Sequence, residues 1–313
     1  MMKLFKPKFW DKRDRVSLFS ILLLPLSLIP IIKIYYENSK IKKNFYGLKT
    51  ICVGNIYIGG TGKTPLAINL ASHFKKRFKT YIIKKNYISH LDEKDLLESK
   101  NKVIFEKTRE LSITKAEKKK AEMLIFDDGL QEKKINYDLK IVCFNSLKLD
   151  GNGLIIPAGP LRESLNSIKN YDIILINGNA NKESKNFIDK IKKLNPNIKI
   201  FTGKYVPQNY SKFKRKKFII FSGIGNPHTF SDTLKNLKIK YYCYKKFPDH
   251  YEYKEKDLQK LKNLATTKNC ELLTTEKDYF RIKKSFRKNI NFLKVELIVD
   301  KEKQFYKHLN ERL

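Results

Sequence analysis

Acidic side chains are scarce in this sequence, with 32 Asp and Glu against 66 Lys and Arg, so that 313 residues carry a formal net charge of +34. Such a balance favours anionic partners: nucleic acid, an acidic membrane face or phosphorylated ligands. The excess is mostly Lys, however, spread along the whole chain with abundant Asn, Ile and Tyr, and no RNA- or DNA-binding motif accompanies it. A nucleic-acid partner is therefore not expected. Cysteine is also scarce. Cys52, Cys143, Cys243 and Cys270 stand far apart with no CxxC, which argues against a disulfide framework or a thiolate metal site and for buried free thiols in a reducing compartment. Long hydrophobic runs are absent but for one, VSLFSILLLPLSLIPII (Val16 to Ile32). No small-x-small cleavage site follows it, which disfavours a secretory signal.

What is present describes a folded protein with a heavily charged surface: 41% hydrophobic and 31% charged residues, in a length that suggests about two domains. The single apolar run would reach roughly 25 Å as a helix, slightly short of a bilayer core of about 30 Å. Pro25 and Pro30 weaken a straight span, while Phe9, Trp10, Tyr35 and Tyr36 flank it as interfacial aromatics do. We expect residues 1–36 to form a membrane-anchoring helix, with spanning and surface-lying both open.

From Lys49 onward the pattern is strand, loop, helix, repeated. TICVGN, TYIIK, MLIFDD, KIVCFN, DIILIN and IKIF read as strands, and Pro65 to Lys76 reads as a helix with Leu66, Leu70 and Phe74 on one face. The alternation predicts an α/β fold: a P-loop NTPase-type, mostly parallel sheet with helices on both faces over residues 37–201. TGKYVPQNYSKFKRKK (202–217) breaks the rhythm and is expected as a linker. KFIIFSGIGNP, IKYYCY, CELLTTEKD and INFLKVELIV then predict a second, smaller α/β domain over 218–313. KAEKKKAE (Lys115 to Glu122) reads as a solvated helix face.

The stretch VGNIYIGGTGKTP resembles a phosphate-binding loop but lacks the first Gly of the usual pattern, where Tyr57 stands. A Gly-rich turn between strand and helix points backbone N–H groups and a helix N-terminus at phosphate oxygens. On that reading Tyr57, Ile58, Gly59, Gly60, Thr61, Gly62, Lys63 and Thr64 form the nucleotide cradle, with Lys63 on the β/γ-phosphates and the Thr64 hydroxyl on Mg2+. The apolar run MLIF ends in Asp127 and Asp128, either of which would complete the metal shell at the C-terminal end of a buried strand. The loop also lacks the signature Lys that dimerising, surface-bound ATPases carry before the Gly pair; Ile58 stands there. A membrane-surface P-loop ATPase switch that recruits a partner is thus the weaker alternative.

DDGLQ (Asp127 to Gln131), GNGLIIPAGPLRE (Gly151 to Glu163), FPDHY (Phe247 to Tyr251), GIGNPHTF (Gly223 to Phe230) and LTTEKDYFR (Leu273 to Arg281) closely resemble, in order and spacing, the tetraacyldisaccharide 4'-kinase family, the lipid A 4'-kinases of Gram-negative bacteria. That family's loop likewise ends in GGxGKT without the first Gly, with another Gly upstream in VGN, here Gly54. The resemblance implies ATP-dependent transfer of the γ-phosphoryl to the 4'-hydroxyl of a tetraacylated, 1-phosphorylated glucosamine disaccharide, with ATP and Mg2+ as cofactors. It further implies inner-membrane lipid as a partner, anchoring by the N-terminal helix at the cytoplasmic face, and an active site in the cleft between two domains. By the same resemblance Asp92, in HLDEKDLL, is the base that accepts the hydroxyl proton, and His250 of FPDHY its partner, the pair assembling when the domains come together. Three departures stand out. Lys85, Asn86 and Tyr87 replace the family's Arg-Gly-Tyr, Leu91 replaces the Gly before the base, which leaves Asp95 as a fallback, and Glu132 replaces the His of DDGxQH. Arg162 is expected to meet a phosphate or a structural carboxylate such as Glu163.

Overall fold

A computed structural model describes residues 7–13, 16–39, 47–85, 91–224, 227–248 and 251–313. The chain runs α1 (Leu18–Leu23), α2 (Leu28–Asn38), β1 (Lys49–Gly54), α3 (Lys63–Phe74), β2 (Thr80–Lys85), α4 (Leu91–Glu98), β3 (Val103–Glu106), α5 (Arg109–Lys118), β4 (Met123–Asp127), β5 (Leu139–Asn145), β6 (Ile173–Asn177), α6 (Lys182–Leu194), β7 (Lys199–Pro207), β8 (Lys217–Ser222), α7 (Pro227–Asn236), β9 (Lys240–Lys246), α8 (Glu255–Thr267), β10 (Glu271–Thr275), α9 (Glu276–Arg281), β11 (Ile290–Leu293), β12 (Val295–Val299) and α10 (Glu302–Arg312). Contacts divide it into two compact units: unit 1 is Met1–Lys85, Lys102–Lys204 and Leu297–Leu313, and unit 2 is Asn86–Asn101 and Tyr205–Glu296.

Unit 1 is built on a sheet of order β12-β7-β6-β5-β1-β4-β2-β3, in which every pairing from β3 across to β7 is parallel. Helices cover both faces of such a sheet, so its central strands read as unbroken apolar runs rather than alternating ones. β4 and β6 are accordingly buried at every residue. β1 lies where the strand order departs in two directions, β4-β2-β3 to one side and β5-β6-β7 to the other, so its C-terminal end opens on a switch point where ligands bind in such sheets. α3 follows it directly and buries Leu66, Ala67, Leu70, Ala71 and Phe74, with Pro65 tolerated in the first turn. The run expected as a solvated face keeps its lysines exposed but turns Ala116 and Ala121 inward at the end of α5.

Unit 2 carries a second parallel sheet, β11-β10-β8-β9. Two apolar clusters flank it, one built on Ile219, Phe221, Leu258 and Leu261, the other on Phe218, Ile220, Leu234 and Leu273.

The domain boundaries differ from the contiguous ones read from the sequence. β7 continues to Pro207 through the expected linker, and a 3-10 turn at Tyr210–Phe213 buries Phe213. INFLKVELIV is two strands in two sheets: β11 closes unit 2, and β12 pairs beside β7 in unit 1, where Asp300 N donates to Thr202 O at 2.8 Å. Residues 297–313 thereby return to unit 1, while α4 goes to unit 2. β3 is a strand the sequence reading missed, being four residues with only Ile104 buried.

The expected single N-terminal helix is broken. α1 ends at a 3-10 turn, Pro25–Ser27, because Pro25 has no N–H to continue the ladder, and α2 begins after it. Among the described residues no helix is long and apolar enough to cross a membrane.

Candidate active site

The loop from β1 to α3 meets the demands of a phosphate cradle through its backbone. Gly59 (φ 120°) and Gly62 (φ 92°), the latter capping α3, occupy the left-handed region that a side chain disfavours. Asn55 Nδ2 donates to Tyr57 O (2.6 Å) and Gly59 O (3.1 Å), pinning the turn from inside, and Asn177 at the end of β6 donates to Thr61 O. Gly54 is required by its neighbour: a Cβ there would stand 2.5 Å from Leu130 Cγ. Thus VGN is shaped by DDGLQ.

Tyr57 serves the frame rather than the ligand. Its ring is 1% exposed and its hydroxyl donates to the Asp11 carboxylate. Burial, then the bond to Asp11, push its pKa far above the ordinary phenol value, so the hydroxyl stays protonated. The Ile58 amide is also engaged, donating to Pro160 O at 2.9 Å. The cradle expected from Tyr57 to Thr64 therefore narrows, since the Tyr57 side chain and the Ile58 N–H already serve GNGLIIPAGPLRE and the N-terminal segment.

Lys63, Thr64, Asp127 and Asp128 converge at the C-terminal edge of β1 and β4. Thr64 Oγ1 donates to Asp127 Oδ2 (2.8 Å), as does Lys84 Nζ from β2 (2.6 Å). Asp127 is 1% exposed, and its Oδ1 is buried without a partner. Asp128, at φ 64°, receives Arg162 Nη1 on Oδ1 (2.8 Å) and lies 3.4 Å from Lys63 Nζ through Oδ2. Burial would raise the Asp128 pKa, but the charges of Lys63 and Arg162, the Arg162 hydrogen bond and the Lys84 charge outweigh it and hold the carboxyl below its ordinary range. Arg109 fixes the backbone here by donating to Asp128 O.

Arg162 pairs with Asp128 and with Gln131 Oε1 (3.1 Å), not with Glu163. Glu163 instead accepts from Lys133 and Gln131, each at 3.0 Å, and from Tyr171. Gln131 Nε2 also donates to Asn55 O (3.0 Å), so DDGLQ, PAGPLRE and the loop form one network. Glu132, in place of the expected His, has its carboxylate 3.8 Å from Arg109.

The remaining expected residues belong to unit 2. Asp92 is on α4, with its side chain outside the described residues, and His250, like Asn86 and Tyr87, lies outside them altogether. The neighbours of His250 are fixed: Phe247 N donates to Ser222 O (2.8 Å), and Tyr251 OH donates to Asp257 Oδ2 (2.8 Å). Asp95 pairs with Arg287 Nη2 at 3.1 Å, a contact that fits a helix fastening better than a free base. Lys100 similarly reaches Glu276 at 2.8 Å, so α4 is tied to α9 and the turn after it.

Sequence reasoning missed Lys84, Asn55, Asn177 and Arg109. Lys84 had a signal: a charge inside an apolar strand, TYIIKK, is costly unless a partner awaits it. The arrangement can hold an anion, through the Gly-rich turn, the α3 N-terminus, Lys63 and Arg162, and beside it a small cation. Thr64 hydroxyl and the unpartnered Asp127 Oδ1 are hard oxygen donors that suit Mg2+. No group of three or more His, Cys, Asp or Glu that could hold a metal exists among the described residues.

Comparison with known proteins points to one family. The sequence model for "Tetraacyldisaccharide-1-P 4'-kinase" matches residues 19–97 and 91–313. A tetraacyldisaccharide 4'-kinase of Pelagibacter ubique (strain HTCC1062) is 46% identical over 308 residues, covering 96% of each chain. One from Rickettsia akari (strain Hartford) is 36% identical over 319 residues, covering 96% of this chain and 95% of its own. Among solved structures, the "apo" form of LpxK from Aquifex aeolicus in complex with ATP superposes with a TM-score of 0.72 at 23% identity, over 94% of this chain and 99% of that one. At that identity the likeness speaks for the fold.

Proposed function

The chain belongs to the tetraacyldisaccharide-1-P 4'-kinase family, and from that premise we propose that it moves the γ-phosphoryl of ATP to the 4'-hydroxyl of a tetraacylated glucosamine disaccharide 1-phosphate at a membrane surface. The observation that carries the reading is the convergence of Lys63, Thr64, Asp127 and Asp128 on the glycine-shaped turn at the end of β1. Phosphoryl transfer depends mainly on positioning and on neutralising the charge of the group in flight. Lys63 and the amides from Gly59 to Thr64 bind the phosphates, and Arg162 keeps Asp128 ionised and in place. Thr64 and Asp127 would hold Mg2+, which would supply neutralisation of the phosphate charge. Asp92 accepts the proton of the 4'-hydroxyl, with His250 as its partner. Both residues belong to the chain segments of unit 2, whereas the phosphate loop belongs to unit 1, so the donor and the base are carried by different units. The ATPase switch that the loop alone permits has no support from the relatives described above.

The N-terminal helices favour a membrane location by being inside out. Ser20 and Ser27 are buried, while Leu18, Phe19, Leu22, Ile29 and Ile32 are each more than 60% exposed. A water-facing helix shows the opposite pattern. Ser27 Oγ donates to Ile155 O (2.9 Å) and Asn152 Nδ2 donates to Ser20 Oγ (3.2 Å), so the serines bolt α1 and the following turn onto GNGLIIPAGPLRE and leave an apolar patch outward. A patch of this kind lies in the acyl boundary of one leaflet and keeps the site beside its lipid acceptor.

The direct test incubates the purified protein and membranes with labelled ATP and the 1-phosphorylated disaccharide. A doubly phosphorylated lipid is expected; ATP hydrolysis without labelled lipid would refute the proposal. Within it, Lys63→Ala raises the ATP requirement and lowers turnover, whereas Asp92→Ala and His250→Ala act mainly on kcat. Near-normal kcat in Asp92→Ala, with loss in Asp95→Ala, would move the base to Asp95.

A further inference from the structure

The buried pair of Lys84 and Asp127 is not explained by nucleotide binding alone. Lys84 is 6% exposed and Asp127 1%, and their charged atoms stand 2.6 Å apart on neighbouring strands, with Thr64 Oγ1 on the same carboxylate oxygen. A buried carboxylate needs a cation, since one left unpaired is among the costliest groups a protein interior can hold. Lys84 provides that cation through Oδ2 and leaves Oδ1 as an unpartnered oxygen.

We propose that Lys84 is a built-in counter-cation that pins the Asp127 carboxylate through Oδ2 and keeps Oδ1 aimed before any metal arrives, and that makes metal binding depend on the nucleotide. The charges set the direction. Lys63, Lys84, Arg109 and Arg162 outnumber the three carboxylates set among them, Asp127, Asp128 and Glu132, so the cluster is already positive, and a divalent cation entering alone meets net repulsion. A nucleotide's phosphates reverse that sign, and the metal then enters with them. Lys84 is a positioning residue: it acts on Asp127, not on the substrate.

The inference rests on Asp127 and Thr64 being the metal's protein partners, and the test separates the two ideas. Thermal melting of the full chain is followed with and without Mg2+, and with and without ADP, for wild type, Lys84→Met, Lys84→Arg, Asp127→Asn and the double variant Lys84→Met/Asp127→Asn. Wild type and Lys84→Arg should not respond to Mg2+ alone. Lys84→Met should melt on the order of 10 °C lower in metal-free buffer, because it strands a buried charge, and millimolar Mg2+ should restore at least half of that loss. The double variant should regain stability and ignore Mg2+. If Lys84→Met folds only poorly, its refolding yield with and without Mg2+ gives the same reading. A Lys84→Met variant that melts like wild type, or that Mg2+ does not rescue, overturns the inference. A wild-type ADP response that is indifferent to both Mg2+ and Asp127→Asn overturns instead the assignment of the metal to Asp127.

Discussion

Replacing Tyr57 with the glycine of the ordinary phosphate-loop pattern should damage this protein rather than repair it. Two variants divide the effect. Tyr57→Phe keeps the buried ring, the residue being 1% exposed, and removes the hydroxyl with its bond to the Asp11 carboxylate. A hydrogen bond to a charged group contributes about 1.5–3 kcal/mol, which in a unit of this size lowers Tm by roughly 4–10 °C. Tyr57→Gly loses that bond and the ring as well. Truncating a buried aromatic costs about 3–5 kcal/mol, and the added backbone freedom of glycine about 0.5–1 kcal/mol. The sum, about 5–9 kcal/mol, approaches the whole stability of a typical domain. Circular-dichroism melts give the stability order, and initial rates against ATP concentration give the cost to the cradle. Tyr57→Phe should hold its KM for ATP within about threefold, since the hydroxyl faces Asp11 rather than the turn, a change well under the tenfold that corresponds to 1.4 kcal/mol. A Tyr57→Gly protein as stable as wild type, or a Tyr57→Phe protein with unchanged Tm and a tenfold weaker grip on ATP, would refute the reasoning.

Asp128→Asn should alter the acid limb of stability. Because the folded carboxyl sits below its ordinary 3.8, its stabilisation is present above that pH and is lost as pH falls through the folded value; the Tm gap between wild type and variant should be open at pH 6 and begin to narrow as pH falls below about 3.8. Arg287→Ala and Asp95→Ala should each lower kcat with little change in the KM for ATP, and the double variant should be no worse than Arg287→Ala, which breaks the same fastening of α4 along with its bonds to Phe280 O and Ile282 O; additive losses in the rates would show that Asp95 acts independently. Changing Leu18, Phe19 and Leu22 together to Ser should leave Tm within about 2 °C, their side chains being exposed, yet weaken sedimentation with anionic vesicles by roughly a hundredfold or more, the loss expected from about 3 kcal/mol of apolar insertion. Undiminished vesicle binding would place the membrane contact elsewhere.

The parallel sheet of unit 1 was legible because MLIFDD and DIILIN can only be so apolar if helices cover both of their faces. The cradle was legible for a related reason: glycines, a lysine and a threonine in sequence declare their backbone geometry locally. What escaped was long-range. TYIIKK signals that Lys84 needs a partner but not that it is a carboxylate 43 positions away, and nothing in VGN says that Leu130 forbids a Cβ at Gly54. β3 was missed because an edge strand of four residues with one buried side chain leaves almost no hydrophobic pattern. The linker was misjudged because polar, basic residues suit an edge-side strand with one wet face as well as they suit a loop, and β7 buries only Gly203 completely. INFLKVELIV looked like one strand because Lys294 alone separates two strands that belong to different sheets.

The return of residues 297–313 to unit 1 has a bearing on how the protein is made. On a ribosome, β1 to β7 emerge first, but the strand that covers β7 and the helix that follows it are synthesised only after all of unit 2. Until then β7 is a bare edge, open to pairing with another nascent chain. Unit 2 is in effect a long insertion that can fold while the phosphate-binding unit waits. A chain cut short before β12 would therefore harm the scaffold of the nucleotide site, although every residue of the phosphate loop had already been translated.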